Sequence, residues 1–322
     1  MTWKRHNAVL ALLTALLFVA VAVRYPKFAS VAGLRASFDD TSILILLALG
    51  QMLVMLTRAI DLSVAATVAL TGMCVALINQ AVPGVALPWL VLSAALLGAA
   101  LGAVNGLLVW QLQIPPIVVT LGTLAIYRGA TYLVSHGRWV NSSDMSPSFL
   151  GLVRERWGGL TLLSWLAIAG VVLAACLLRY SAAGRSFYAA GGNPEAARYV
   201  GVDVGRAQCV AFVLNGLLAG LCGYLWVARY AVAYTEIASG FELTVIAACV
   251  IGGVSIAGGS GSVFGVLLGC LFLGVIKNAL PLLAVSPFWQ MAISGAVIVT
   301  AAVLNAASAR APQRQRILEI RP

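Results

Sequence analysis

Residues 87–110 read LPWLVLSAALLGAALGAVNGLLVW, a stretch without one charged side chain. A helix of that length rises about 36 Å at ~1.5 Å per residue, enough to cross the roughly 30 Å hydrocarbon core of a bilayer. Gly98, Gly102 and Gly106 recur every four residues, so they share one helix face. Missing side chains there let another backbone approach closely. The stretch reads as a membrane span that packs tightly against a neighbour.

The rest of the chain repeats this pattern. Of 322 residues, 61% are hydrophobic and 9% charged, and the mean hydropathy is +0.99. A soluble domain carries about 25% charged residues, so lipid must solvate much of this chain. Apolar runs fall at about 8–23, 41–57, 63–82, 87–110, 116–135, 160–178, 207–228, 243–257, 263–280 and 287–306. The first follows Lys4 and Arg5 and ends near Ala20-Val21-Ala22, as a cleaved signal peptide would. Its length and the nine runs after it favour an uncleaved first helix. The expectation is an all-α, polytopic membrane bundle of about ten spans, with no room for a soluble catalytic domain.

Charge placement gives an orientation. With ten spans and both termini cytosolic, the cytosolic segments are the N-terminal tail, the loop around 179–206 and the tail at about 307–322. They hold Lys4, Arg5, Arg179, Arg185, Arg198, Arg206, Arg310, Arg314, Arg316 and Arg321 against Glu195, Asp203 and Glu319. The outer loops hold Arg24, Lys27, Arg35, Arg138, Arg154 and Arg156 against Asp39, Asp40, Asp144, Glu155, Glu236 and Glu242. The excess of Lys and Arg on the first side follows the positive-inside rule. The net charge of +10 therefore reports topology, and no nucleic-acid partner is expected.

Other small residues read as packing surfaces: Gly261, Gly265 and Gly269 repeat every four residues, and Gly216 and Gly220 form a further pair. All six cysteines lie in apolar runs without a C-x-x-C pair, and the only histidines are His6 and His136. Neither a disulfide nor a metal site is expected. Two spans look interrupted, at Thr57–Ser63 with Arg58 and Asp61, and at the glycine-rich Gly252–Gly261. Irregular backbone at membrane depth survives only where protein or a watery cavity shields it. Paired breaks of this kind point towards a central pathway.

The long cytosolic loop contains GRSFYAAGGNPEAARYVGV, residues 184–202. Asn193 suits an N-cap, Pro194 the first helical position, Glu195 the first turn, and Gly201 a left-handed helix end. Local chemistry thus writes a two-turn helix between two spans. It could be a docking element or merely a surface helix that closes the loop.

This segment resembles the coupling motif in permease subunits of bacterial ATP-binding-cassette sugar importers of the ribose, xylose, arabinose and rhamnose type. The family's glycine, asparagine, alanine pair and second glycine are matched by Gly191, Asn193, Ala196, Ala197 and Gly201. Four further stretches resemble the family in order: Ile60–Val64, Pro116–Thr123 with Arg128-Gly129, Gly252–Gly261 with Gly265 and Gly269, and Ser286–Gln290. Arg58-Ala59 and Ala65-Ala66 replace the usual residues around the first, and Pro115-Pro116-Ile117 stands where phenylalanine is common. Arg58 and the 184–188 wording look closest to the rhamnose or autoinducer-2 branch.

The resemblance implies a single permease domain over 1–322, in the bacterial inner membrane. It also implies a cytosolic ATPase that uses ATP and Mg, an external sugar-binding protein and a second permease copy or paralogue. No G-x-x-x-x-G-K-[ST] phosphate loop is present, so the chain is expected to bind no cofactor and to hydrolyse no ATP itself. Gln51, Asp61, Asn105, Thr120, Asn215 and Asn278 are polar residues in spans. Each could line the path or make an interhelical hydrogen bond. The alternative, an ion-coupled secondary transporter, needs buried titratable groups; Asp61 is the one acid firmly in a span-like region, and Arg58 could pair with it. A membrane-embedded enzyme lacks any catalytic constellation.

Overall fold

Helix starts in this chain are set by short polar residues and prolines. The computed structural model describes residues 3–282 together with positions 289, 292, 295 and 296. The predicted run 287–306, the Ser286–Gln290 stretch and the tail 307–322 otherwise lie outside the described residues. In chain order the elements are α1 (Trp3–Arg24), α2 (Val31–Leu56), α3 (Val64–Ala81), α4 (Leu87–Gln111), α5 (Pro116–Ser135), β1 (Val140–Asn141) and α6 (Pro147–Gly151). They continue with β2 (Arg156–Trp157), β3 (Leu160–Thr161), α7 (Leu162–Tyr180), α8 (Ala182–Gly192), α9 (Pro194–Tyr199), α10 (Val204–Tyr230), β4 (Val232–Ala233), α11 (Phe241–Ile251) and α12 (Val263–Leu282). Ser30 caps α2 by accepting from the Gly33 N–H at 3.1 Å, and Asp203 caps α10 by accepting from the Arg206 N–H at 2.9 Å. Pro88 and Pro116 occupy the first turns of α4 and α5, where no amide donor is needed.

Among the described residues, eight helices are long and apolar enough to cross a membrane: α1–α5, α7, α10 and α12. The predicted span at 243–257 is instead the 11-residue α11 followed by irregular, glycine-rich chain. The chain is a polytopic helical membrane bundle.

Helix α2 begins at Val31, well before residue 41, so Arg35, Asp39 and Asp40 lie on a helix rather than in a loop. Hydropathy marks the apolar slab, whereas a 26-residue helix reaches about 39 Å and carries its first turns beyond that slab. Asp39 is buried and accepts from Thr161 Oγ1 at 2.5 Å and from Ser164 Oγ at the start of α7. Asp40 pairs with Arg229, in the last turn of α10, at 2.7 Å.

Almost all of α2 from Thr41 onward is buried, making it the central post of the core. Helices α7, α10, α11 and α12 pack around it, and α10 also carries α3 and α4. The α4–α10 contact is backbone against backbone: a Cβ on Gly98 would overlap the Gly216 carbonyl, and one on Gly216 the Gly98 carbonyl. Gly102 meets the Phe212 carbonyl, Gly106 meets Cys209, and Gly220 meets Ala94. In α12, Gly265 and Gly269 lie against Gly252 and Ala248. Gly261 precedes that helix and touches Leu56 and Val254, so it does not share their face.

Helix α7 separates two ends of the bundle. At its start sit the β2–β3 hairpin, turning through Gly158 and Gly159, and α6. Strand β1 pairs antiparallel with β4 beside the end of α10. At the far end of α7, α8 and α9 lead into α10.

Candidate coupling site

The segment expected to hold one short helix holds two. Ser181 caps α8 by accepting from the Gly184 N–H at 2.9 Å, and one side of α8, through Phe187, Ala190 and Gly191, is buried. Ser181 was the available signal for α8, although the helix's glycines and modest hydrophobicity masked it. Asn193 Oδ1 then accepts from the Ala196 N–H at 3.1 Å and starts α9. Pro194 is at the first helical position and Glu195 in the first turn. Gly201 adopts φ +82° just past the helix, and the Val202 N–H closes on the Ala197 carbonyl at 2.9 Å. Ala197 is the buried contact of α9, whereas Asn193, Glu195 and Ala196 are exposed and Tyr199 is 94% exposed.

The end of α8 meets both irregular segments. Arg58, itself left-handed at φ 65°, donates from Nε to the Gly191 carbonyl at 2.7 Å and from a terminal nitrogen to the Gly192 carbonyl at 3.1 Å. These are last-turn carbonyls of α8, which lack partners in their own helix. Arg58 thus does not take up the pairing with Asp61 open to it in sequence: the left-handed turn sends the guanidinium to α8 instead. The Gly259 N–H donates to the Leu56 carbonyl at 2.9 Å. A Cβ on Gly191 would overlap that same carbonyl, and Gly259 lies directly on the Gly192 backbone. Tyr188 donates to the Gly261 carbonyl at 2.8 Å, and burial pushes its phenol up, which keeps the donor proton in place.

Beyond Arg58 the chain folds back into the bundle. Asp61, 2% exposed, accepts on Oδ1 from the Ser63 N–H at 2.8 Å and Ser63 Oγ at 2.6 Å, and on Oδ2 from Asn215 Nδ2 at 2.8 Å. Asn105 Nδ2 donates to Ser63 Oγ at 2.9 Å, and Thr120 Oγ1 to the Ile60 carbonyl at 3.1 Å. With its amide turned to suit, Gln51 donates to the Asp61 carbonyl at 3.2 Å and accepts from the Asp61 N–H at 3.1 Å. Asn215 lies roughly 17 Å into α10 at ~1.5 Å per residue, so this polar knot sits near the middle of that helix. Five sequence-selected polar residues thus converge on one α2–α3 connection. Asn278 does not; it donates to the Ser37 carbonyl at 3.4 Å near the opposite end of α2.

Around Asp61, Ser63 at the start of α3 holds one carboxylate oxygen and Asn215 in the middle of α10 holds the other. Among the described residues no three His, Cys, Asp or Glu side chains cluster as metal ligands. One end of α8–α9, the two breaks and the central knot are thus in continuous contact. The profile of the family described as branched-chain amino acid transport system / permease component matches residues 35–302. The chain belongs to this permease family.

Among the permease's relatives, the autoinducer 2 import system permease protein LsrC of Enterobacter sp. (strain 638) is 42% identical over 301 residues, 93% of this chain and 85% of the relative. The protein of the same name from Escherichia coli O9:H4 (strain HS) is 39% identical over 304 residues, 94% and 87% of the two chains. That of Klebsiella pneumoniae subsp. pneumoniae is 40% identical over 295 residues, 90% and 83%. No solved structure matches the permease. Arg58 and Gln208 gave no sign of their partners in the sequence, because both reach carbonyls far along the chain; Gln208 donates to the Thr57 carbonyl at 3.0 Å.

Proposed function

We propose that this permease forms the membrane path of an ATP-driven importer for a sugar-like solute, with autoinducer-2 the favoured cargo. The named function of its relatives supports the cargo. A separate cytosolic ATPase would use ATP and Mg, an external sugar-binding protein would deliver the solute, and a second permease copy or paralogue would complete the path. The chain would lie in the bacterial inner membrane with α8, α9 and both termini in the cytosol.

The observation that carries this reading is the three-way junction of Leu56–Arg58, Gly191–Gly192 and Gly258–Gly259. ATPase closure would displace α9 through its exposed Glu195 and Tyr199. Helix α8 would pass the displacement through Gly191 and Gly192 to Arg58 and the glycine break, and so to both irregular segments. The knot of Gln51, Asp61, Asn105, Thr120 and Asn215 would then be the central closure, whose amides and hydroxyls suit a polyhydroxylated cargo once parted. Ion coupling has less support, since the buried carboxylates Asp61 and Asp39 are already occupied by fixed donors.

Uptake of labelled autoinducer-2 into proteoliposomes tests the proposal. With binding protein and ATPase present, uptake should require ATP and survive collapse of ion gradients. Uptake that runs without the ATPase and follows an ion gradient would overturn it.

A further inference from the structure

A cleft of about 460 Å³ opens between the α4–α5 turn and the α9–α10 junction. Trp110, Gln113 and Pro115 form one wall, and Arg198, Asp203 and Gln208 face them. We propose that this cleft is a second seat for the ATPase subunit, taking an acidic side chain of that partner against Arg198; this rests on the coupling role of α9 proposed above.

The lining suits a protein side chain better than lipid, since charged groups and amides of Arg198, Asp203, Gln113 and Gln208 would be stripped of water by an acyl chain without compensation. Asp203 is already engaged as the cap of α10. The Arg198 carbonyl accepts from the Gly201 N–H at 3.0 Å, but its exposed guanidinium makes no hydrogen bond, ion pair or ring contact among the described residues, which leaves it as the open recognition group. A carboxylate is the planar partner that its fork fits. The cleft is also continuous with the exposed end of α9, since Arg198 directly precedes Tyr199 and Val200, 94% and 77% exposed.

The walls are held in shape. A Cβ on Gly205 would overlap the Trp110 indole, so α10 and α4 are locked at the cleft. Gln113 is held left-handed at φ 54°, a conformation that is unfavourable for a non-glycine residue; such strain concentrates at functional sites. The floor leads inward: Gln208 donates to the Thr57 carbonyl at 3.0 Å, beside Arg58. A partner seated here would touch the α2–α3 connection by a route that bypasses α8.

Photo-crosslinking tests this in the full-length permease, reconstituted with the ATPase that supports its uptake. A photoreactive side chain is placed at position 113, and in a parallel sample at position 199. Crosslinks to the ATPase from both are expected. Arg198→Gln should lower the yield from 113 roughly fivefold or more, and Arg198→Lys should restore much of it. Crosslinking from 199 but only to lipid or to nothing from 113 overturns the second seat and leaves the α9 reading standing. Crosslinking from 113 alone supports the seat and overturns only a contact at the Tyr199 tip of α9, and silence at both positions overturns both. An unchanged 113 yield in Arg198→Gln overturns the assigned acidic contact.

Discussion

Gly191 and Gly192 are neighbours at the end of α8, yet they face different demands. A Cβ at Gly191 would run into the Leu56 carbonyl and the Gly259 backbone, whereas one at Gly192 meets nothing within 4 Å. Backbone cannot rotate aside as a side chain can, so Gly191→Ala must separate α8 from α2. Overpacking of this kind costs about 1–3 kcal/mol or more. Gly191→Ala should therefore lower the thermal unfolding midpoint of the purified permease by several degrees, and Gly192→Ala should leave it nearly unchanged; equal behaviour would remove the junction as a close contact. At this scale the sequence showed which residues were unusual but not whom they meet. Gln51, Asp61, Asn105, Thr120 and Asn215 stood out because a polar group inside a span must find a partner. Their convergence depends on the path of residues 57–63, and nothing local in those residues specifies it.

Helix α9 was legible because its punctuation is local: Asn193, Pro194 and Gly201 act within one or two turns of themselves. Its predecessor α8 was not, since its identity comes from the face it buries rather than from strong helix formers. The same contrast separates the Gly98–Gly102–Gly106 face, whose spacing announced a close helix contact, from Gly261, whose spacing matched but whose backbone is not helical. For α9 the physical expectation is a rigid lever. Glu195 is exposed and its carboxylate makes no hydrogen bond or ion pair among the described residues, so Glu195→Ala should spare folding. Gly201→Ala forces a side chain into φ +82°, costing about 1–2 kcal/mol locally. Both variants should insert normally and lose ATP-driven uptake by roughly fivefold or more, measured against stimulated ATP hydrolysis in the same proteoliposomes. Full uptake in both would count against α9 as the docking element.

Across the whole molecule, the alternation of spans was readable from apolar runs, while their exact lengths were not. Hydropathy cannot see the polar turns by which α2 extends to Val31, nor the loss of helix after Ile251 in a glycine-rich stretch. Alternation does fix a relation between distant segments. Since α7 runs from Leu162 to Tyr180, the loop containing Arg154 and the tip of α9 at Tyr199 must lie at opposite ends of the bundle. From the Lys and Arg excess we propose that the Tyr199 end is cytosolic. Arg154 and Tyr199 are both exposed, so Arg154→Cys and Tyr199→Cys, each in a Cys176→Ser background, are suitable reporters. In intact cells a membrane-impermeant thiol reagent should label position 154 at once and position 199 only after permeabilisation. The reverse pattern would invert the orientation while preserving the bundle. Labelling of both from outside would break the alternation itself, and with it the idea that α9 faces an ATPase while the β2–β3 end faces the incoming solute.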